Sequence, residues 1–188
     1  LIPKGKKSVY IAEPASRLLQ RIQQQEKAVR EILPQLHALE NKGGTKPVIR
    51  YYTNLKDIER VWVEETYHAK ENLYLSNYID TLKLFPNLDE EYERQIKKGV
   101  ITIARELHPA TKEHIAHALK FQSKVRKIRI IPPHLKFDVD LSIWDDSIAL
   151  YSDEHRHMLI ITDKGIANSF RAMFAMAWMV SKEVEKNR

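Results

Sequence analysis

Between Pro14 and Glu40 the apolar residues fall into one repeating stripe. Leu18, Ile22, Gln25, Val29, Ile32, Leu36 and Leu39 are separated by alternating steps of four and three, the seam of a heptad repeat, and six of the seven are apolar. With β-branched Ile22 and Val29 at a, and Leu18, Ile32 and Leu39 at d, the assortment favours two parallel strands, and Gln25 is a polar interruption that sets register. Pro34 removes one backbone donor and is expected to kink the last turn. The stripe predicts a dimerisation helix over residues 14–42; the plainer alternative is an amphipathic helix lying on its own domain.

After Asn41-Lys-Gly-Gly-Thr-Lys-Pro47 the period changes. The glycine pair suits a helix C-terminus and a hinge, so a domain boundary is expected near Gly43 and Gly44. Val48 to Tyr52 is strand-like, Leu55 to His68 is helical in spacing, and Asn72 to Ile79 is again β-branched and aromatic. Asp89 to Lys98 predicts a helix stopped by Gly99, Val100 to Ala104 a buried strand, and Thr111 to Val125 a helix with Ile115, Ala118, Leu119 and Gln122 on one face. Arg126 to Ile131 is a further strand. Strands separated by helices imply a mainly parallel sheet covered on both faces.

The last third alternates differently. Phe137, Val139, Leu141 and Ile143 interleave with Asp138, Asp140 and Ser142, which predicts a strand with one wet face; a turn at Trp144-Asp-Asp-Ser147 and strands over 148–151 and 158–162 add antiparallel hairpins to the sheet. The final helix, Phe170 to Val180, has Arg171 as its only charge and is expected to be buried on a second side, by central packing or by a dimer contact. The fold class is therefore α/β, an N-terminal coiled-coil helix followed by a mixed sheet with helices on both faces, over residues 46–188.

Composition adds limits. The 188 residues are 43% hydrophobic, enough for one core plus an appendage, and no stretch reaches the length of a membrane span. No secretory signal opens the chain, so a soluble, cytoplasmic protein with no membrane partner is expected. The chain starts at Leu1 and not at a methionine, which is expected of a fragment or a trimmed product. With no cysteine, disulfides and thiolate chemistry are excluded, and a net charge of +6 mildly favours an acidic partner.

Candidate chemistry is sparse. His134-Leu-Lys136 has the spacing of a phosphodiesterase nucleophile and its phosphate clamp, in which an imidazole takes the phosphoryl group and a lysine balances charge. That motif also places an acid five residues after the lysine, where this chain has Leu141, with Asp140 one residue too early. His155 with His157, and His114 with His117, share faces, but no third ligand stands beside either pair, and Asp138, Asp140, Asp145 and Asp146 are equally a solvated acidic run. No metal and no cofactor is expected. Lys124, Arg126, Lys127 and Arg129 form the densest basic cluster, more often a solvated strand edge than an anion site. Five glycines leave little room for a phosphate-binding loop.

At the start, Lys4, Lys6 and Lys7 flank a Lys-Gly turn before a strand-like run, which suits a β-wing laid along a phosphate backbone and equally a basic tail. Taken together, Lys4 to Pro14, Ile32-Leu-Pro-Gln-Leu36, Pro47 to Tyr52 with Ile58, Ile143 to Ser152 and Ile166 to Trp178 resemble the bacterial branch of the TrmB-like family of winged-helix transcriptional regulators. The resemblance implies a DNA-binding winged helix upstream of Leu1, its wing ending over 1–13, a coiled-coil linker that makes a homodimer, and a phospholipase-D-like effector domain used for sensing a small molecule or protein. It also implies that the domain is not an enzyme and that His134 and Lys136 are a coincidence on a related fold. The alternative is a dimeric phosphodiesterase or nuclease acting through those two residues.

Overall fold

A computed structural model describes Arg17, Leu19, residues 22–27, Val29, Arg30, Ile32 and residues 46–184. The chain forms two compact units, Leu1–Lys46 and Pro47–Arg188. In the first, every described residue up to Ile32 is helical; Leu19, Ile22, Val29 and Ile32 are 50–59% exposed, and Glu26 pairs with Arg30 one turn on. Of the expected seam and wing, Leu18, Leu36, Leu39, Lys4, Lys6 and Lys7 lie outside the described residues, as do Pro34 and the glycine pair.

The second unit begins with β1 (Val48–Tyr52), α1 (Leu55–Glu64), a 3-10 turn (Thr66–His68), β2 (Glu71–Leu75), α2 (Tyr78–Leu84) and α3 (Leu88–Lys97). It continues with β3 (Ile103–His108), α4 (Lys112–Phe121), β4 (Arg126–Ile130), β5 (Asp140–Trp144), β6 (Ser147–Ser152), β7 (His157–Thr162), α5 (Lys164–Val180) and β8 (Lys182–Glu183). Side-chain caps start three of the helices: Asn54, Thr111 and Asp163 each accept a backbone N–H of the first turn. Gly99, at φ 74°, ends α3 in the left-handed region that glycine enters without strain.

Among the described residues all strands form one sheet in the order β1-β7-β6-β5-β2-β3-β4-β8. Only β2, β3 and β4 run parallel to one another; every other pairing is antiparallel. The sheet is therefore mixed and not mainly parallel, because helical connections place consecutive strands side by side only among β2, β3 and β4, and the chain then forms β5 to β7 by hairpins. One face packs against α1, α3 and the residues around them, with Ile58, Trp62, Phe85 and Tyr92 meeting Ala104, Trp144, Met158 and Ile160. The other packs Leu73, Leu107, Ile143 and Ile148 against Ala167 and Phe174 of α5.

Several expected boundaries move. The second strand stops at Leu75, not Ile79, because Ser76 and Asn77 turn out of the sheet with their N–H groups donating to Leu107 and to Asp140. Val100 to Thr102 is a connection held by Lys70, whose carbonyl accepts from Thr102 and Ile103, so β3 lies further on. In α4 the inward residues are His114, His117 and Ala118, while Ile115 is 37% exposed; polar partners waiting inside turn the helix by about one position. β5 is buried along its whole length, so Asp140 and Ser142 are not on a wet face. Among the described residues none covers the outward side of α5: Met173, Met176, Met179 and Val180 are 47–75% exposed.

Candidate functional site: a polar crevice above a buried charged network

The carboxyl ends of β2, β3 and β4 come together where the neighbouring β5 runs the other way. In open α/β sheets such a reversal opens a crevice between the loops that leave the strands. Here Asn77 and Asp80 after β2, Pro109 to Thr111 after β3, and Pro133, Leu135 to Asp138 after β4 line a crevice of about 370 Å³. Lys136 is its one lining cation, and Asp80 is already paired with Lys83 at 2.5 Å.

Behind Asn77 the Asp140 carboxylate is buried and well supplied with donors. Ser76 Oγ donates at 2.7 Å, Thr81 Oγ1 at 2.9 Å and the Asn77 N–H at 2.7 Å. Thr81 has a single proton, so once it is given to Asp140 its oxygen can only accept. The Asp153 carboxyl, 3.4 Å away, then satisfies it best in the protonated form. Burial, followed by the charges of Asp140 and Asp80, pushes Asp153 up to about 6. Burial also raises Asp140, its three donors opposing the shift.

Deeper in the same face lies a charged network centred on Arg126, which is completely buried. Its Nε and one terminal nitrogen grip Glu106 at 2.6 and 3.1 Å, and the other terminal nitrogen lies 2.9 Å from both Asp89 and Glu93. The guanidinium also lies over the rings of Tyr92, Phe121 and Tyr78, at 4.9, 5.0 and 5.7 Å. Burial disfavours the charged form of Glu106, but Arg126 outweighs it and holds the carboxyl at about 2. Asp89 is lowered against its own burial by His117, whose Nε2 is 2.8 Å away, and by Arg126.

Three histidines close this network. His114 Nε2 accepts the Ile79 N–H, which leaves Nδ1 to donate to Thr111 Oγ1 at 2.8 Å. Burial lowers His114 to about 4, with His108 and His117 adding to the shift. His108 is lowered by burial too, and neither of its nitrogens has an aligned partner, although Nε2 lies 3.2 Å from Glu106. Between network and crevice a cavity of about 20 Å³, lined by Tyr67, Tyr74, Tyr78, Glu106, Arg126 and Asp140, has room for about one water.

The residues singled out from sequence fare unevenly. His134 and Lys136 are exposed on the β4–β5 loop; Lys136 lines the crevice and His134 does not. The spacing of two and then five residues recurs four residues along as Asp138, Asp140 and Asp145, with carboxylates where the motif has its histidine and lysine. Such a set repels a phosphodiester. His155 and His157 stack at 5.8 Å, while His114 and His117 are committed to Thr111 and Asp89. Among the described residues no group of three His, Asp or Glu side chains is arranged to hold a metal. The basic cluster is split, with Lys124 and Lys127 exposed, Arg129 paired with Glu183, and Arg126 inside.

Missing from the sequence reading are Glu106, Asp89, Ser76, Thr81, Asp153 and the true place of Arg126. One signal was available for the last: in β4, Arg126 shares parity with Ile128 and Ile130, and all three are buried.

The unit is a phospholipase-D-like α/β fold. Nuc, a phospholipase D family member from Salmonella typhimurium, superposes with a TM-score of 0.54 at 12% identity, covering 75% of this chain and 100% of its own. NucT from Helicobacter pylori does so at 0.52 and 9%, covering 73% and 99%. TrmBL2, an archaeal chromatin protein whose structure shows a novel mode of DNA binding, matches at 0.52 and 17%, over 90% of this chain. The chain spans 66% of the length of TrmBL2. Identities this low carry the fold alone. No protein-family model and no curated protein matches the chain.

Proposed function

We propose that this chain is the dimerisation and effector region of a DNA-binding transcriptional regulator of the TrmB-like type, bacterial branch, whose winged helix precedes Leu1. The observation that carries the reading is the extent of the match. Pro47–Arg188 is about three quarters of the chain, and the nuclease likenesses cover 73–75%, whereas the TrmBL2 likeness covers 90% and so reaches into the N-terminal unit. The nuclease likenesses do not account for that extension, whereas a regulator uses it to join two DNA-binding arms at a fixed spacing.

In this reading the N-terminal helix pairs with its copy through Leu18, Ile22, Gln25, Val29, Ile32, Leu36 and Leu39, and Lys4, Lys6 and Lys7 touch the DNA backbone. An effector, a small molecule or a protein segment, enters the crevice beside Lys136, and its binding shifts the population of arm positions. Such a protein is cytoplasmic and needs no cofactor. Among the described residues no helix is long and apolar enough to cross a membrane.

The test is the protein isolated from its natural host. An intact mass exceeding 22.1 kDa by roughly 80 to 100 residues, enough for a small winged helix, together with salt-dependent binding of duplex DNA, is expected. Ile22→Asp with Val29→Asp should make the dimer dissociate at higher concentration in light scattering across a dilution series, and a dissociation constant equal to that of the unchanged chain would sink the seam. The fold likeness to Nuc favours a second reading, a phosphodiesterase using His134 and Lys136. Hydrolysis of bis(p-nitrophenyl) phosphate that survives chelator and is lost in His134→Asn would establish it instead.

A further inference from the structure

A helix lying on a sheet normally turns a charged face to water. α5 does not. Its buried side is centred on Ala167 and Phe174, and directly opposite run Gly165, Ser169, Ala172, Met176 and Met179, all exposed. Asn168, Met173, Ala175 and Val180 flank that line and are exposed as well. No charged side chain stands on this outward face between Lys164 and Lys182; Arg171 is turned aside and donates to the Asp145 carbonyl. A face this apolar, ending in methionines 57% and 75% exposed, is an unsatisfied contact surface.

Its composition selects the occupant. The line has steps of four, three, four and three, the spacing of a helix–helix seam. It is also graded in size: glycine and serine at one end, two methionines at the other, alanine in the middle. Laid antiparallel against an identical helix about a two-fold axis at Ala172, Gly165 comes level with the partner's Met179 and Ser169 within one residue of the level of the partner's Met176, small against large at both ends. Parallel pairing would oppose methionine to methionine and glycine to glycine. The antiparallel arrangement also brings Asp163, at the start of one helix, level with Lys182 just past the end of the other, so the charges at both ends are complementary. A membrane surface would call for lysines and arginines along the flanks of the face, and between Lys164 and Lys182 the helix has only Arg171, which is turned aside.

We infer that α5 is a homodimer contact, packing antiparallel on α5 of a second copy with the symmetry axis at Ala172. The contact stands independently of the N-terminal seam. A single helix pair is smaller than the roughly 1,600 Å² of a standard interface, so it acts most strongly where another contact already holds the two copies together.

The chain has no cysteine, so single introduced thiols report position without ambiguity. In full-length chain, Ala172→Cys should form a disulfide-linked dimer under mild oxidation, its two copies meeting at the axis. Met179→Cys should not, since its two copies lie about 21 Å apart along the helices. Both sites are exposed, so neither change threatens folding. Cross-linking at 179 as efficient as at 172 would mean parallel or random contact and overturns the inference. A dimer in light scattering with no disulfide at 172 overturns it too while leaving the N-terminal seam in place, and a monomer at the working concentration overturns both. Antiparallel order has its own check: Ser169→Glu and Met176→Lys should each weaken the cross-link at 172, and combining them in one chain should restore it.

Discussion

The two halves of the sheet solve the same burial problem with different chemistry. In the antiparallel half, β5 to β7 fill both faces mainly with hydrocarbon: Ile143, Ile148, Met158 and Ile160 are each completely buried. In the parallel half, β3 and β4 bury Glu106, His108 and Arg126 just as completely, side by side on one face. Hydrocarbon needs only shape, whereas each buried charge needs a partner, and the partners here come from helices: Asp89 and Glu93 from α3, His117 from α4. The parallel half thus fixes the loops that form the crevice through a few strong, interdependent contacts. Those same contacts make it the half most sensitive to single changes and to acid.

Arg126→Met should show the difference most sharply. Losing the guanidinium leaves Glu106 facing Asp89 in the core, and a loss of about 3–5 kcal/mol in urea unfolding is expected. Adding Glu106→Gln should recover part of it. Ile148→Val, in the other half, should cost about 0.5–1.5 kcal/mol, and an equal loss for both would remove the contrast.

Acid should act next most strongly, through the parallel half. Folding lowers the carboxyls of Glu106 and Asp89, so their contribution is present above their unfolded values near 4 and is lost as pH falls through the folded ones; for Glu106, held at about 2, it is on the order of 3 kcal/mol. Folding also lowers His108 and His114, so theirs is present above about 6.5 and is lost on the way down, to about 4 for His114. Melting temperature should therefore fall from about pH 6.5 downwards, and Glu106→Gln should flatten the part below pH 4.

Asp153 should move the opposite way. Its folded value of about 6 lies above the unfolded one, so the stability it contributes is present at low pH and is lost as pH rises through 4 to 6. Asp153→Asn should stabilise the protein at pH 7.5 by about 1 kcal/mol or less, since the group is only half shielded from water, and should leave pH 4 unchanged. The smallest expected effect is at the rim. Lys136→Ala should change stability by less than about 0.5 kcal/mol while removing the crevice's lining cation, so loss of an anionic effector in a binding titration would separate rim from core.

How much was legible follows the same division. Where burial is hydrocarbon, period and chemistry agree, and the hairpins of β5 to β7 and the apolar helix α5 could be read from spacing. Where burial is ionic, composition misleads. Arg126 reads as one member of a surface cluster with Lys124, Lys127 and Arg129, and Asp140 as the wet side of a strand, because isolated charges are rarely buried and nothing nearby in sequence announces their partners. Asp89 is 37 residues from Arg126 and Asp140 is 64 from Ser76. The rotation of α4, which hides His114 and His117 and leaves Ile115 in water, has the same origin.

The sequence by itself determined the alternation of strands and helices, the chemistry of the caps at Asn54, Thr111 and Asp163, the heptad spacing of the first unit and the uncharged face of α5. These are local or periodic properties, set by residues a few positions apart. Only the tertiary structure decided that the parallel part of the sheet is limited to three neighbouring strands, that their carboxyl ends open one crevice, and that four chain segments meet around Arg126. Those are outcomes of contacts between residues tens of positions apart, where a charge is stabilised or penalised by what the fold brings beside it and not by its neighbours in the chain.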